Sequence, residues 1–119
     1  MTRRIVLIED DPDIAALVDN MLTDIGHQVE VRSNLPDRTD HAAELVITDL
    51  VALRGYDLQA ARDWIARVRA AFPKAAVFVS TAHQPAAVAG APGLSADALL
   101  TKPFDVDVFT RTVESLLGA

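Results

Sequence analysis

The sequence predicts a single α/β domain in which a parallel five-stranded sheet is covered by helices on both faces. Two observations carry this prediction. Short apolar segments typical of buried strands alternate along the chain with segments whose apolar residues recur every three or four positions, as on one face of a helix. Half of the 119 residues are apolar, which is enough for one packed core and argues against disorder.

The first two elements have the clearest signals. Residues 3–8 end in four consecutive apolar residues and predict a strand buried on both faces. The dipeptide Asp11-Pro12 is typical of a helix start, because Asp caps the first turn and Pro is preferred at the first helical position. Gly26 marks the end of this helix. We therefore expect the side chain of Asp11 to cap this helix, which leaves it unavailable for other roles such as binding a metal ion.

The later elements follow the same rules. Residues 27–32 alternate between polar and apolar and predict an edge strand. Residues 33–44 are polar and contain Pro36, so only a short and poorly defined helix is expected there. In order, the remaining predicted elements are a strand over 45–48, a helix over 58–72, a strand over 75–80, at most two helical turns within 83–96, a strand over 98–101 and a helix that Asp105 caps.

This alternation of strands and helices favours parallel strands joined by right-handed crossovers. Five such strands favour the order 2-1-3-4-5. The expected architecture is therefore a flavodoxin-like (βα)5 three-layer sandwich with one parallel sheet. In such sheets ligands bind beyond the carboxyl ends of the strands, next to the point where the strand order reverses.

Charge and composition exclude several classes of function. The net charge of −6 and the lack of clustered Lys and Arg argue against a nucleic-acid-binding surface. No apolar run approaches the ~20 residues that a membrane span needs. There is no cysteine, so neither disulfides nor thiolate metal sites are possible. We expect a cytoplasmic protein that binds neither nucleic acid nor membranes.

Polar side chains follow four of the predicted strands. Glu9 and Asp10 follow the first strand, Asp49 the third, Thr81 the fourth and Lys102 the fifth. Crowded carboxylates attract a hard cation such as Mg²⁺, which prefers oxygen ligands and retains several waters. Lysine offers a compact positive charge to phosphate oxygens, and a carboxylate can act as a nucleophile that forms an acyl phosphate. The pattern therefore suits magnesium together with a phosphoryl group.

The residues of this pattern resemble those of the receiver domain of two-component response regulators (CheY-like). The resemblance covers nearly the whole chain and rests on four segments in the expected order, namely 5–11, 46–49, 79–82 and 101–104. It implies that Asp49 is phosphorylated by a histidine kinase or a histidine phosphotransfer protein with Mg²⁺. Phosphorylation would then alter contacts with a downstream protein whose identity the sequence leaves open.

The resemblance also implies how the metal is held. Asp10 and Asp49 would bind Mg²⁺ directly, and Glu9 would act through water. The backbone carbonyl of Val51, two residues after the phosphoacceptor, would be a further ligand.

Four other residues would act on the phosphoryl group or respond to it. The resemblance implies that Thr81, with the adjacent Ala82, and Lys102 contact the phosphoryl group. The peptide bond between Lys102 and Pro103 is typically cis in the family. In the family, the side chain at the position of His83 affects how fast the acyl phosphate is hydrolysed, so the resemblance makes His83 a candidate modulator of dephosphorylation. Separately, we expect slow self-dephosphorylation at most and no enzyme activity toward other substrates.

Four departures from the family pattern concern the regions around the site. Leu99 stands where Tyr or Phe usually switches between exposed and buried states. Leu53 replaces a usual Pro in the loop after the acceptor. Pro and Gly interrupt 83–96, although the fourth helix belongs to the usual signalling face. The interval from Asp10 to Asp49 is a few residues shorter than usual, which shortens the region after the second strand.

Two alternative functions fit parts of this pattern. A receiver-like adaptor that binds a partner without switching would fit Leu99 and the interrupted helix, but not the complete set of site residues. A phosphohydrolase of the haloacid-dehalogenase type would need an Asp at the position of Val51, and its general acid is missing. The adaptor is therefore kept as the alternative and the hydrolase is strongly disfavoured.

The domain organisation is expected to be simple. Enough chain follows Lys102 for one helix and no more, so residues 1–119 are expected to be one receiver domain without an output domain. Whether the chain is stand-alone or part of a longer protein stays open, as does the choice between a monomer and a phosphorylation-linked dimer.

Overall fold

The computed structural model describes residues 3–50, 58–82 and 84–118, without the side chains of 84–88. Its strands form one parallel five-stranded sheet of order β2-β1-β3-β4-β5, which confirms the predicted order. The strands are β1 (Arg4–Ile8), β2 (Gln28–Arg32), β3 (Leu45–Thr48), β4 (Ala76–Thr81) and β5 (Ala98–Thr101). The described residues contain four helices, α1 (Pro12–Asp24), α2 (Leu58–Ala71), α3 (Gln84–Leu94) and α4 (Val106–Leu116).

Helices lie on both faces of the sheet and form the three expected layers. On one face, Val6 and Ile8 of β1 pack in a core cluster with Trp64 and Phe72, on the side of α2 and α3. On the other face, Ile5 and Leu7 pack in a second cluster with side chains of α1 and α4, among them Val18, Leu22, Phe109 and Val113. This alternation along β1 explains why the strand is apolar throughout, since both of its faces are buried.

The start of α1 places the acidic residues that precede it. Asp11 accepts hydrogen bonds from the backbone N–H of Asp13 at 2.9 Å and of Ile14 at 3.3 Å, with Pro12 at the first helical position. Asp11 is therefore the helix cap that the sequence predicted. This cap leaves Asp10 exposed between the end of β1 and the start of α1.

The segment between β2 and β3 contains no helix, so the short helix expected within 33–44 was a wrong prediction. Asp40 fixes the path of this segment. Arg4 Nη2 lies 2.6 Å from Asp40 Oδ2, and the backbone N–H of Asp40 donates to the Ala71 carbonyl at 2.8 Å. Asp40 Oδ1 also accepts from the N–H groups of Ala42 and Ala43. These bonds to distant residues and to the local turn replace the bonds of a helix.

Helix α3 is interrupted, as the prolines and glycines in its sequence predicted, but its 11 residues make about three turns. The prediction of at most two helical turns within 83–96 was therefore wrong. Gly90 has φ 70° and ψ 177°, a backbone conformation that is essentially restricted to glycine. Pro92 follows this break within the second part of the helix. Two arginines of α2 hold the end of the segment, since Arg62 donates to the Gly93 carbonyl at 2.7 Å and Arg69 to the Ser95 carbonyl at 2.8 Å.

The helices of the described ranges include none that combines the length and the apolar character required to cross a membrane.

Candidate functional site

The pairing of β1 with β3 brings two buried carboxylates together. Ile8 is in register with Thr48, and the backbone N–H of Asp49 donates to the Ile8 carbonyl at 3.1 Å. Glu9 and Asp49 therefore leave the sheet side by side, each with only 6% of its surface exposed. They lie where the strand order reverses, which is the position expected for a ligand site in a sheet of this kind.

Lys102 connects these two carboxylates. Its Nζ lies 2.7 Å from Glu9 Oε1 and 2.5 Å from Asp49 Oδ2. The backbone N–H of Lys102 donates to the Thr81 carbonyl at 2.8 Å, which continues the pairing of β4 with β5. The peptide bond before Pro103 is cis, as the family resemblance implied. The end of β5 thus holds the ammonium group against the ends of β1 and β3.

The second carboxylate oxygen and the backbone carbonyl of Asp49 also accept hydrogen bonds. The backbone N–H of Leu50 donates to Asp49 Oδ1 at 2.6 Å. The Thr48 hydroxyl donates to the Asp49 carbonyl at 2.9 Å, and accepts a hydrogen bond from Trp64 Nε1 at 2.9 Å. Asp49 is therefore held through its side chain and through its own peptide group.

Sequence reasoning missed the contributions of Thr48 and Trp64. Trp64 does pack in the core, but its indole N–H also bonds Thr48. A usable signal was present, because Thr48 is a hydroxyl residue at the end of a buried strand and a buried hydroxyl needs a partner. The identity of that partner depends on how α2 packs on the sheet, which the sequence pattern does not specify.

The ionisation of the three groups is linked. Burial, together with a hydrogen bond to Asp49, raises the pKa of Glu9 to about 7. Burial also raises the pKa of Asp49, but hydrogen bonds from Glu9 and Lys102 outweigh this effect and hold that pKa below its usual value. Burial lowers the pKa of Lys102, and its hydrogen bonds to the two carboxylates reverse this, so its pKa is raised. Near neutral pH, Asp49 and Lys102 are therefore charged while Glu9 is partly protonated.

The donor atoms suit a metal ion that keeps much of its water. Within 3–50, 58–82 and 84–118, no three His, Cys, Asp or Glu side chains converge as a ready-made metal cage. Two adjacent buried carboxylates are nevertheless present, and Glu9 and Asp10 line an open groove together with Asp19 and Arg32. Mg²⁺ is commonly bound by one or two carboxylates and completed by waters and phosphate oxygens. The residues therefore fit Mg²⁺ better than an ion that needs a complete set of protein ligands.

The remaining predicted site residues lie around this centre or outside the described residues. Thr81 is fully buried at the end of β4, and the adjacent Ala82 is exposed. Leu99 is half-buried and packs against the core cluster on the side of α2 and α3. The predictions for Val51, Leu53 and His83 fall outside the described residues.

Comparison with known proteins gives structural relatives but no sequence match. Neither a protein-family model nor a curated protein matches the chain. A response regulator from Thermotoga maritima has a TM-score of 0.77 at 19% identity, with all of both chains covered. A response regulator receiver protein from Burkholderia phymatum has a TM-score of 0.72 at 25% identity, with 98% of this chain and 95% of that chain covered.

A third relative contains a metal ion. The receiver domain of a sensor histidine kinase from Pseudomonas aeruginosa has a TM-score of 0.73 at 19% identity, with all of both chains covered, and its structure has magnesium coordinated in the active site cleft. These relatives share the strand order and the layers over essentially the whole chain. The chain therefore has the fold of response regulator receiver domains of the CheY-like kind.

Proposed function

We propose that this chain is a phosphoacceptor receiver in which Asp49 takes a phosphoryl group from a histidine kinase or a histidine phosphotransfer protein. The observation that carries the proposal is the contact of the buried Asp49 carboxylate with Lys102, beside Glu9, at the carboxyl edge of the sheet. This arrangement combines a nucleophile, a cation and a second acidic group at one point. Its occurrence on the receiver fold supports the same function.

Asp49 is suited to act as the nucleophile. Its lowered pKa keeps the carboxylate ionised at neutral pH. One of its oxygens would attack the phosphorus atom of the donor, forming an oxygen–phosphorus bond as the bond to the donor's leaving group breaks and the leaving group keeps the electron pair. The product is an acyl phosphate on Asp49. Slow attack by water on the same phosphorus atom would restore the carboxylate.

Lys102 and Thr81 would bind the phosphoryl group after its transfer to Asp49. Lys102 Nζ already lies 2.5 Å from an oxygen of Asp49, so a small movement would let it pair with a phosphoryl oxygen. Thr81 lies at the end of the neighbouring strand, where its hydroxyl could donate to the same group. Ala82 is exposed next to Thr81 and would leave space for the phosphoryl oxygens.

Magnesium is the proposed cofactor. When bound, Mg²⁺ would offset the repulsion between the carboxylates and the incoming phosphoryl group. The proposed protein ligands are Asp10 and Asp49, the backbone carbonyl of Val51, and Glu9 through a water molecule. The exposed position of Asp10 beside the buried Glu9 supports this division of roles.

The proposal can be tested with a small acyl-phosphate donor. The protein is incubated with donor and Mg²⁺, and its intact mass is recorded beside the variants Asp49→Asn and Asp11→Asn. We expect a gain of one phosphoryl group in the native protein and in Asp11→Asn, and none in Asp49→Asn. A native protein that binds Mg²⁺ but gains no phosphoryl group would contradict the proposal.

A second candidate function is a receiver-like adaptor that binds its partner without switching. It is favoured by Leu99, which has no aromatic ring to reorient, and by the break in α3 at Gly90. The same mass measurement separates the two candidates, because an adaptor would stay unmodified. Repeated consumption of donor without accumulation of phosphoprotein would instead indicate a phosphohydrolase.

A further inference from the structure

Two buried hydrogen bonds in series join Asp49 to helix α2. The indole Nε1 of Trp64 donates to Thr48 Oγ1 over 2.9 Å, and the Thr48 hydroxyl donates to the Asp49 carbonyl over 2.9 Å. Thr48 is fully buried and Trp64 is 7% exposed. The Thr48 hydroxyl thus accepts one bond and donates the other, so it connects a helix to the peptide group of the candidate nucleophile.

Packing alone does not account for this arrangement. All four residues of β3 are buried, and a valine at position 48 would have nearly the same volume and no polar atom to satisfy. Trp64 belongs to the core cluster that includes Leu50, and a phenylalanine could fill much of the same space. Packing does not explain why the Trp64 indole N–H bonds the Thr48 hydroxyl, or why that hydroxyl in turn bonds the Asp49 carbonyl.

We propose that Thr48 and Trp64 are positioning residues for Asp49, and that the indole of Trp64 senses the state of that residue. The inference rests on the proposed function, because it assigns these two residues to the same reaction. Thr48 fixes the Asp49 carbonyl, while Ile8 fixes its N–H and Leu50 one carboxylate oxygen. In-line attack requires a fixed direction of the nucleophilic oxygen, so a looser peptide would slow the transfer.

The series of two hydrogen bonds ends at Trp64, whose ring lies next to an exposed side chain. The guanidinium carbon of Arg67, an exposed residue of α2, lies 5.5 Å from the centroid of the Trp64 ring. A change at Asp49 that reorients its peptide would alter the bond to Thr48 and therefore the environment of the indole N–H. Because Trp64 is the only tryptophan of the chain, its indole N–H gives a single, assignable NMR resonance.

The test uses variants that remove one hydrogen-bonding group each. Thr48→Val removes the hydroxyl, Trp64→Phe removes the indole N–H, and Thr48→Ser keeps the hydroxyl. Phosphorylation by a small acyl-phosphate donor with Mg²⁺ is followed by intact mass. We expect the initial rate to fall by about fivefold in Thr48→Val and in Trp64→Phe, the size expected for one hydrogen bond, and to recover in Thr48→Ser.

A control separates positioning from loss of stability. Ile65→Val shortens a buried side chain of the same helix and should lower the unfolding temperature without slowing phosphorylation. The indole N–H resonance supplies a readout that does not depend on phosphorylation. It should shift in Asp49→Asn relative to the native protein, and it should move upfield in Thr48→Val, where its acceptor is absent.

The outcomes distinguish failure of this inference from failure of the proposed function. If the native protein gains no phosphoryl group, the proposed function fails, while a shift of the indole resonance in Asp49→Asn still supports the connection between Trp64 and Asp49. If the native protein is phosphorylated but Thr48→Val and Trp64→Phe react at the native rate, the positioning role is wrong. An indole resonance that is unchanged in both Asp49→Asn and Thr48→Val would overturn the inference in either case.

Discussion

The ammonium group of Lys102 lies 2.5 Å from a carboxylate oxygen of Asp49, although the two residues come from different strands and are far apart in the chain. The same ammonium contacts Glu9 at 2.7 Å. One cation thus serves two buried carboxylates, whose burial would otherwise be unfavourable. This contact offsets part of the negative charge of the two carboxylates.

Removal of this cation should destabilise the protein. In Lys102→Met, Glu9 and Asp49 face each other without a counter-charge, and we expect a loss of about 3 kcal/mol in the free energy of unfolding at about pH 8. Urea unfolding in magnesium-free buffer measures this loss in the free energy of unfolding. Lys74→Met is the matched control, since Lys74 is the only other lysine and is exposed. Equal stability of the two variants would show that the bridge contributes little.

The two aspartates after β1 should differ in their effect on Mg²⁺ binding. Asp10→Ala should weaken Mg²⁺ at least about tenfold, since even residues that only support a metal ligand commonly change affinity ~10–100-fold. Asp11→Ala should leave Mg²⁺ affinity nearly unchanged and cost about 1 kcal/mol of stability through the lost helix cap. Isothermal titration calorimetry with Mg²⁺ compares them. Native Mg²⁺ affinity in Asp10→Ala would refute the proposed role of Asp10 as a direct ligand.

Glu9 should make stability depend on pH in magnesium-free buffer. Folding raises its pKa from 4.5 to about 7, so the folded state retains a proton that the unfolded chain releases. The resulting stabilisation is complete below 4.5 and is lost as the pH rises through about 7. The lowered pKa of Asp49 acts in the opposite sense and matters only below its ordinary value of 3.8, so it does not affect this window.

The measurement is the free energy of unfolding of the native protein minus that of Glu9→Gln, between about pH 5 and pH 8. Because glutamine does not titrate, this difference should fall as the pH rises. Titrating groups that do not contact Glu9 are common to both proteins and cancel. A difference that is constant across this range would mean that folding does not raise the pKa of Glu9.

The break in α3 should make Gly90 intolerant of a side chain. Its φ of 70° and ψ of 177° are essentially restricted to glycine, so Gly90→Ala should cost about 1–3 kcal/mol. Thermal and urea unfolding measure this cost. If residues 84–94 formed one continuous helix instead, alanine would be the better helix former and Gly90→Ala would stabilise the protein.

Much of the fold follows from local sequence patterns. Most of the predicted strands and helices lie close to those of the structure. They were predicted from the apolar segments, from the helix cap at Asp11 and from the sequence of β5. The pattern failed within 33–44, where a short helix was expected. There the path depends on Arg4, which bonds Asp40 from β1, and on the Ala71 carbonyl of α2. Contacts between residues distant in sequence leave no periodic signal, so no local pattern could predict them.

The sequence by itself determined which chemical groups follow the strands, because a residue type after an apolar run is a local property. Glu9, Asp49 and Lys102 were predicted as site residues in this way. Only the tertiary structure decided that Lys102 bridges the two carboxylates, that the pKa of Glu9 is raised, and that Trp64 reaches Asp49 through Thr48. These features depend on strand register and helix packing, which bring distant residues within hydrogen-bond distance and remove water from between them.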